Sequence, residues 1–165
     1  PQGAATSPAL ANLCAWRFDC RLEALAHRLD ARYTRYGDDL AFSGGAEFAQ
    51  HADRVMPLLH RIALDCGFHL NPRKTRVMTQ GRRQRLLGLV VNHHINVPRE
   101  RYERLKAILH NCHRHGPHSQ NRDGHPQFRD RLQGEVAWVE SVNPHKSRRL
   151  RAMFDAINWA ERQSP

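Results

Sequence analysis

Residues 33–44 read YTRYGDDLAFSG, and no other stretch restricts the fold as much. Gly-Asp pairs are favoured where two strands meet, so Gly37-Asp38 predicts a tight hairpin between two short strands over 33–43. Tyr33, Tyr36, Leu40 and Phe42 are their apolar or aromatic members. Turn chemistry accounts for Gly37 and one aspartate, but leaves a second carboxylate, Asp39, beside Asp38. Adjacent carboxylates resist joint ionisation unless cations offset the repulsion. Mg²⁺ takes a few carboxylate oxygens together with substrate phosphates and water. Two such ions clamp the attacking and leaving oxygens of an in-line phosphoryl displacement. A solvated turn is the simpler account of a bare Asp-Asp pair. Tyr36, Gly37 and the charge of the whole chain favour the metal site.

That charge is large: 26 Lys and Arg against 16 Asp and Glu give +10, with twelve histidines beyond it. Such a balance points to a polyanion, either nucleic acid or an anionic membrane surface. There is no run of eighteen apolar residues, which excludes a spanning helix, and the basic segments lack the aromatic and long aliphatic edge of an interfacial one. No membrane partner is expected. Cys14, Cys20, Cys66 and Cys112 have no C-x-x-C spacing, so reduced, mostly buried thiols and a cytoplasmic protein are expected. The 165 residues suffice for one domain, with or without a small appendage. The sequence starts at Pro1 inside a motif, and a fragment is expected.

The fold class predicted along the chain is α+β followed by all-helical. Leu10, Leu13, Cys14, Phe18, Leu22, Leu25 and Leu29 recur near the 3.6-residue period and predict a helix over 7–31, capped by Ser7 with Pro8 in its first position. A second helix is expected over 47–66, with Pro57 as a kink and Gly67 as its stop. LLGLVVN and HHINV predict a strand pair, with Gly88 inside an apolar strand, where another backbone approaches closely. A basic amphipathic helix over 98–113 buries Leu105, Ile108 and Leu109, and a polar loop follows. Phe128, Leu132, Val136 and Val139 pattern one further helix, and Leu150, Phe154 and Ile157 another, separated at Asn143-Pro144. The expected division is 1–97 and 98–165.

Taken in order, these motifs resemble bacterial retron-type (group II intron-like) reverse transcriptases. YGDD resembles their catalytic Tyr-X-Asp-Asp hairpin, here with Gly37 where Ala is common, and PQGAATSPALANL resembles the Pro-Gln-Gly motif that precedes it. GFHLNPRKTR is similar to the lysine-bearing motif, LLGLVVN to the primer grip, and LQGEVAWVESVNPHKSRRL to the thumb. The resemblance implies a partial polymerase palm, an antiparallel sheet with helices, over 1–97 and an α-helical thumb over 98–165. It implies an RNA-directed DNA polymerase, a nucleotidyltransferase using two Mg²⁺ ions. The primer 3′ hydroxyl attacks the α-phosphate of a deoxynucleoside triphosphate, and pyrophosphate leaves. RNA template and DNA primer or product are the implied partners, with a structured non-coding RNA as a further candidate.

The implied roles fall on individual residues. Asp38 and Asp39 are catalytic and hold metal; Lys74 approaches the triphosphate and stabilises or protonates pyrophosphate. Gln2, Gly3 and Tyr36 line the nucleotide pocket, where Gly3 permits close backbone approach and the helix behind it turns a positive end to phosphate. Leu87 and Gly88 hold the primer. Arg148, Arg149 and Arg151, read as lying beside Trp138 and Trp159, meet nucleic acid by backbone charge. His110, Cys112, His113, His115 and His118 include zinc-type ligands, but their spacing fits no usual site, and a phosphate-facing polar loop is the preferred reading.

The family's first catalytic aspartate lies upstream of the Pro-Gln-Gly motif. Asp19, Asp30, Asp53 and Asp65 fall on expected helices or their ends and do not replace it. Residues 1–165 alone are therefore expected to be inactive. The alternatives are a non-catalytic nucleic-acid-binding relative acting in phage defence and a template-independent nucleotidyltransferase on the same palm.

Overall fold

The hairpin forms where Gly37-Asp38 predicts it. In the computed structural model, which describes residues 3–159, β1 (Ala31–Tyr36) pairs antiparallel with β2 (Asp39–Gly44), from Ala31 opposite Gly44 to Tyr36 opposite Asp39. A two-stranded ribbon is marginal by itself and needs a packed face. Tyr33 and Phe42, opposite each other with ring centroids 5.2 Å apart, supply that face. They pack with Phe18, Leu22 and Ala26 of helix α1 (Ser7–Arg28) and with Leu59, Ile62 and Ala63 of helix α3 (Ala52–Asp65). Phe68 closes the cluster against Phe18 at 4.9 Å.

Helix α1 departs from expectation at both ends. Thr6 occupies the cap position without a side-chain cap bond and Ser7 is already helical, because a turn from Ala4 O to Ser7 N leads into the helix. The helix stops at Arg28, and Asp30 takes a left-handed φ of 47° to enter β1. Its buried stripe is Ala15, Phe18, Leu22 and Ala26, whereas Leu10 and Leu13 of the expected apolar face are exposed.

The helix expected over 47–66 is two helices, α2 (Ala46–Gln50) and α3. His51 separates them: its N–H closes a turn onto Phe48 O, and its ring Nδ1 donates to Glu47 O, so the helical ladder restarts at Ala52. Helix α3 runs through Pro57. Gly67, at φ 81°, ends it with two bonds, Gly67 N to Leu64 O and Phe68 N to Ala63 O, the paired closure that a left-handed glycine permits. Residues 75–79 form no strand.

The chain divides into two compact units between Thr79 and Gln80, so the LLGLVVN segment, expected with the first part, belongs with the second. Gly88 does not lie inside a strand. β3 (Arg85–Leu86) and β4 (Leu89–Val90) are two residues each, joined by Leu87 and Gly88, both left-handed at φ 50° and 78°. Two successive left-handed residues make a tight primed turn, which matches the natural twist of paired strands. Of HHINV, only Asn96 pairs, with Val90.

Three helices complete this unit: α4 (Arg99–His115), α5 (Phe128–Val142) and α6 (Pro144–Asp155). The apolar periods predict their contacts well. Leu105 and Leu109 of α4, Leu132, Val136 and Val139 of α5, and Leu150 and Phe154 of α6 form one buried cluster with Val97 and Ile157. Asn143 caps α6, its side-chain oxygen accepting from Lys146 N at 3.0 Å, and Pro144 follows at the helix start. All four cysteines are free, but only Cys112 is buried; Cys14 and Cys20 are exposed, contrary to the expected burial. Among the described residues no helix is long and apolar enough to cross a membrane.

Candidate active site and nucleic-acid interface

Gly37 has φ 61° while Asp38 stays at negative φ, the sign pattern of a type II′ turn. The turn consists of Gly37 and Asp38, and Asp39 opens β2 opposite Tyr36. Alternation along the ribbon sends Tyr33, Arg35, Leu40 and Phe42 towards α1 and leaves Arg32, Thr34, Tyr36 and Asp39 on the solvent side. Tyr36 is 73 % exposed beside the two aspartates. Neither the Asp38 nor the Asp39 side chain has a hydrogen bond or ion pair with another described residue. Two solvent-facing carboxylates on a two-residue turn, without side-chain partners among the described residues, are hard oxygen donors of the kind Mg²⁺ takes, so the residues present fit a divalent ion. No group of three or more His, Cys, Asp or Glu side chains that would complete a metal site exists among the described residues.

Behind the hairpin lies a charge cluster that sequence reasoning missed. Arg35 grips Asp19 of α1 with both prongs, Nε to Oδ1 at 2.8 Å and Nη2 to Oδ2 at 2.7 Å. Nη2 also donates to Asn12 Oδ1 at 3.1 Å, and Nη1 to the Gly37 carbonyl at 3.0 Å. Tyr33 adds its hydroxyl to Asp19 Oδ1 at 2.7 Å. The Arg35 hydrogen bond, helped by Tyr33, holds the Asp19 carboxyl below its ordinary range despite partial burial. Burial, then Asp19, pushes the Tyr33 hydroxyl well up. A signal existed in the pattern: Tyr33 and Arg35 share a strand face, and Asn12 and Asp19 lie seven residues apart on one helix face.

The remaining expected site residues fall on several elements of the two units. Gln2 lies outside the described residues; Gly3, at φ 87°, precedes α1. Lys74 is exposed on a turn organised by Asn71, whose carbonyl accepts from Lys74 N and Thr75 N at 3.1 Å and whose side-chain oxygen accepts from Arg73 N. It forms no ion pair with Asp38 or Asp39. Leu87 and Gly88 form the tip of the second hairpin, with Leu87 49 % exposed. Its neighbours Arg83 and Arg85 both pair with Glu100 at the start of α4.

On α6, Arg148 and Arg149 are exposed and make no pair with another described residue, whereas Arg151 donates to Glu140 of α5 at 2.7 Å. The arginines over the tryptophan rings are others: Arg101 at 3.9 Å from the Trp138 centroid and Arg129 at 5.9 Å from that of Trp159. Of the histidine cluster, His110, Cys112, His113 and His115 lie on α4 and not in the expected loop; Cys112 is in the core, where burial pushes its thiol up to about 11, and His113 Nδ1 donates to Ala156 O. A buried thiol so hard to ionise is a poor zinc ligand.

Residues 1–91 match the reverse transcriptase (RNA-dependent DNA polymerase) family. The chain is 42 % identical to the Retron Mx65 reverse transcriptase of Myxococcus xanthus over 90 % of this chain and 33 % of that protein. It is 36 % identical to the Retron Mx162 reverse transcriptase of the same organism, over all of this chain and 36 % of the relative. The Retron Ec86 reverse transcriptase of Escherichia coli is 29 % identical over 91 % of the chain and 44 % of its own length. The chain thus spans about a third of the length of the Myxococcus relatives it matches. With the Tyr-Gly-Asp-Asp turn on a two-residue hairpin and the family match across it, the chain belongs to the reverse transcriptases, of the retron type.

Proposed function

We propose that this chain is the hairpin-bearing part of a palm and the thumb of an RNA-directed DNA polymerase that copies RNA into DNA from deoxynucleoside triphosphates. The observation that carries the reading is the pair of carboxylates, Asp38 and Asp39, without side-chain partners among the described residues, on a two-residue turn within the segment matching the family. Bound there, Mg²⁺ would supply charge neutralisation at the phosphate undergoing transfer. Asp38 and Asp39 would hold the ion. Lys74, without a carboxylate partner among the described residues, would meet the triphosphate, and Gln2, Gly3 and Tyr36 would line the nucleotide pocket. The exposed Tyr36 ring beside the aspartates suits stacking or packing against a base or sugar.

In the second unit, Leu87 and Gly88 would touch the primer strand, and Arg148 and Arg149 would meet phosphates of a template–product duplex. Arg151 would support α6 through Glu140. A structured non-coding RNA, as the relatives' retron names suggest, would be a further partner, and the cytoplasm the place of action.

The test uses the complete protein that carries this chain, with oligo(dT)-primed poly(rA) and Mg²⁺. Asp38→Ala is expected to cut extension by about two orders of magnitude or more, since it removes charge where charge develops. His113→Ala with His115→Ala is expected to leave most of it. Retained extension in Asp38→Ala would overturn the reading. Residues 1–165 alone supply two of the family's three carboxylates and are expected to give no extension above background.

A further inference from the structure

We propose that Arg35 is a positioning residue that locks the Gly37–Asp38 peptide in one orientation and so aims the Asp38 carboxylate. The inference rests on the reading of Asp38 as a metal-holding carboxylate, but its structural half stands on hydrogen bonds alone. The oxygen that Arg35 Nη1 holds at 3.0 Å belongs to the one peptide group between the two turn residues. That group is planar, so fixing its oxygen fixes the Asp38 amide nitrogen and with it the axis about which Asp38 is set.

The alternative to be suppressed is specific. Rotating the central peptide of a type II′ turn by half a revolution gives a type I′ turn, with both central residues left-handed. Gly37 is left-handed already, at φ 61°. Asp38 would have to follow, and aspartate is among the few residues that tolerate that region. The backbone alone therefore leaves two turns open, differing in where Asp38 points. In the second turn the Gly37 oxygen swings away from the guanidinium and that bond is lost.

Arg35 is equipped to decide between them because it cannot itself drift. Its Nε and Nη2 are committed to Asp19, its Nη2 also to Asn12, and Tyr33 holds Asp19 from the other side. Side-chain exposures of 11 % for Arg35 and 28 % for Asp19 keep water from competing freely. Two anchors on α1 are thereby transmitted to the turn through one rigid, planar fork. Lysine lacks that geometry: one ammonium can pair with Asp19, but it does not offer the same three-way fork.

The experiment compares the complete protein with its Arg35→Lys and Asp19→Asn variants. Labelling glycine carbonyls with ¹³C and aspartate amides with ¹⁵N reports on Gly-Asp peptides, of which residues 1–165 hold one, and the signal that Asp38→Asn removes is that of Gly37–Asp38. In metal-free wild type one signal is expected, and in Arg35→Lys a doubled or exchange-broadened one. Primer extension by Arg35→Lys is expected to lose about 10²-fold in kcat, the scale of a small misplacement at a reacting centre, with KM for primer–template unchanged. The half-saturating Mg²⁺ concentration should rise. Asp19→Asn, which keeps the shape of the anchor, is expected to shift the same signal and kcat in the same direction by less.

A purely structural ion pair would lower Tm and leave both the peptide signal and the Mg²⁺ dependence where they were. A single, unshifted signal in both variants would overturn the proposal, whatever happens to activity. So would full kcat in Arg35→Lys with a doubled signal. If Asp38→Asn keeps full extension, the catalytic reading of the hairpin fails, while the peptide signal still decides whether Arg35 fixes the turn.

Discussion

Replacing Arg148 and Arg149 together by alanine isolates the charge on α6 that is free to meet a phosphate. Three arginines crowd this helix, but they are not equivalent. Ser147, Leu150 and Phe154 define its buried stripe, which places Arg148 and Arg149 each about 130° from the centre of that stripe, one on either side of the point opposite the core. Both lack a partner among the described residues, while Arg151 lies at the edge of the stripe in its pair with Glu140. Each phosphate neutralised contributes about 0.7 to 0.9 to the slope of log affinity against log salt, so the double variant is expected to flatten that slope by about 1.4 to 1.8. Arg151→Ala should leave the slope nearly unchanged and cost only the 0.2–1 kcal/mol or so typical of an exposed ion pair.

Fluorescence anisotropy of a labelled RNA–DNA hybrid, titrated with the complete protein between about 50 and 200 mM salt, reads the slope directly. Duplex DNA of the same length serves as the comparison, and the hybrid, with its A-like geometry, is expected to bind at least as well. An unchanged slope in the double variant would mean that both arginines are a solvated face. A slope flattened as much by Arg151→Ala alone would mean that the pair with Glu140 gives way to phosphate and that Arg151 is itself a phosphate contact.

Acid should weaken the first unit through Asp19. Its folded pKa lies below the unfolded value of about 4, so its contribution is fully present above that pH and is lost as pH falls through the folded value. Thermal melts between about pH 5 and pH 2 should show a steeper loss in wild type than in Asp19→Asn, and parallel curves would refute the linkage. Thiol chemistry should sort by burial. Under native conditions iodoacetamide is expected to modify exposed Cys14 and Cys20 quickly and to leave Cys112, with its pKa pushed up to about 11, unmodified until denaturant is added; peptide mass spectrometry checks it.

The elements legible in the sequence were those whose residues speak locally. Gly37-Asp38 specified a two-residue turn, and the 3.6-residue recurrence of Leu105, Leu109, Leu132, Val136, Val139, Leu150 and Phe154 named the core of three helices. What could not be read depended on partners distant in the chain. Leu10 and Leu13 keep the apolar period of α1 but have nothing described to pack on, so periodicity overstated their burial. Gly88 was read as a strand glycine because its turn partner is leucine, a residue that ordinarily avoids left-handed backbone. The site showed the same division. Asp38 and Asp39 announce themselves by adjacency, whereas Arg35 and Asp19, sixteen residues apart, meet only once a helix is laid across a hairpin.

Leucine at φ 50° carries a consequence for how this protein responds to selection. An L-residue with a β-carbon in that region costs about 1–2 kcal/mol, a debt that glycine or asparagine at position 87 would largely cancel. Selection for heat resistance alone would therefore discard Leu87 early, and with it a half-exposed isobutyl group held at a fixed angle on a two-residue tip. The tip thus keeps a residue that backbone stability alone would not choose.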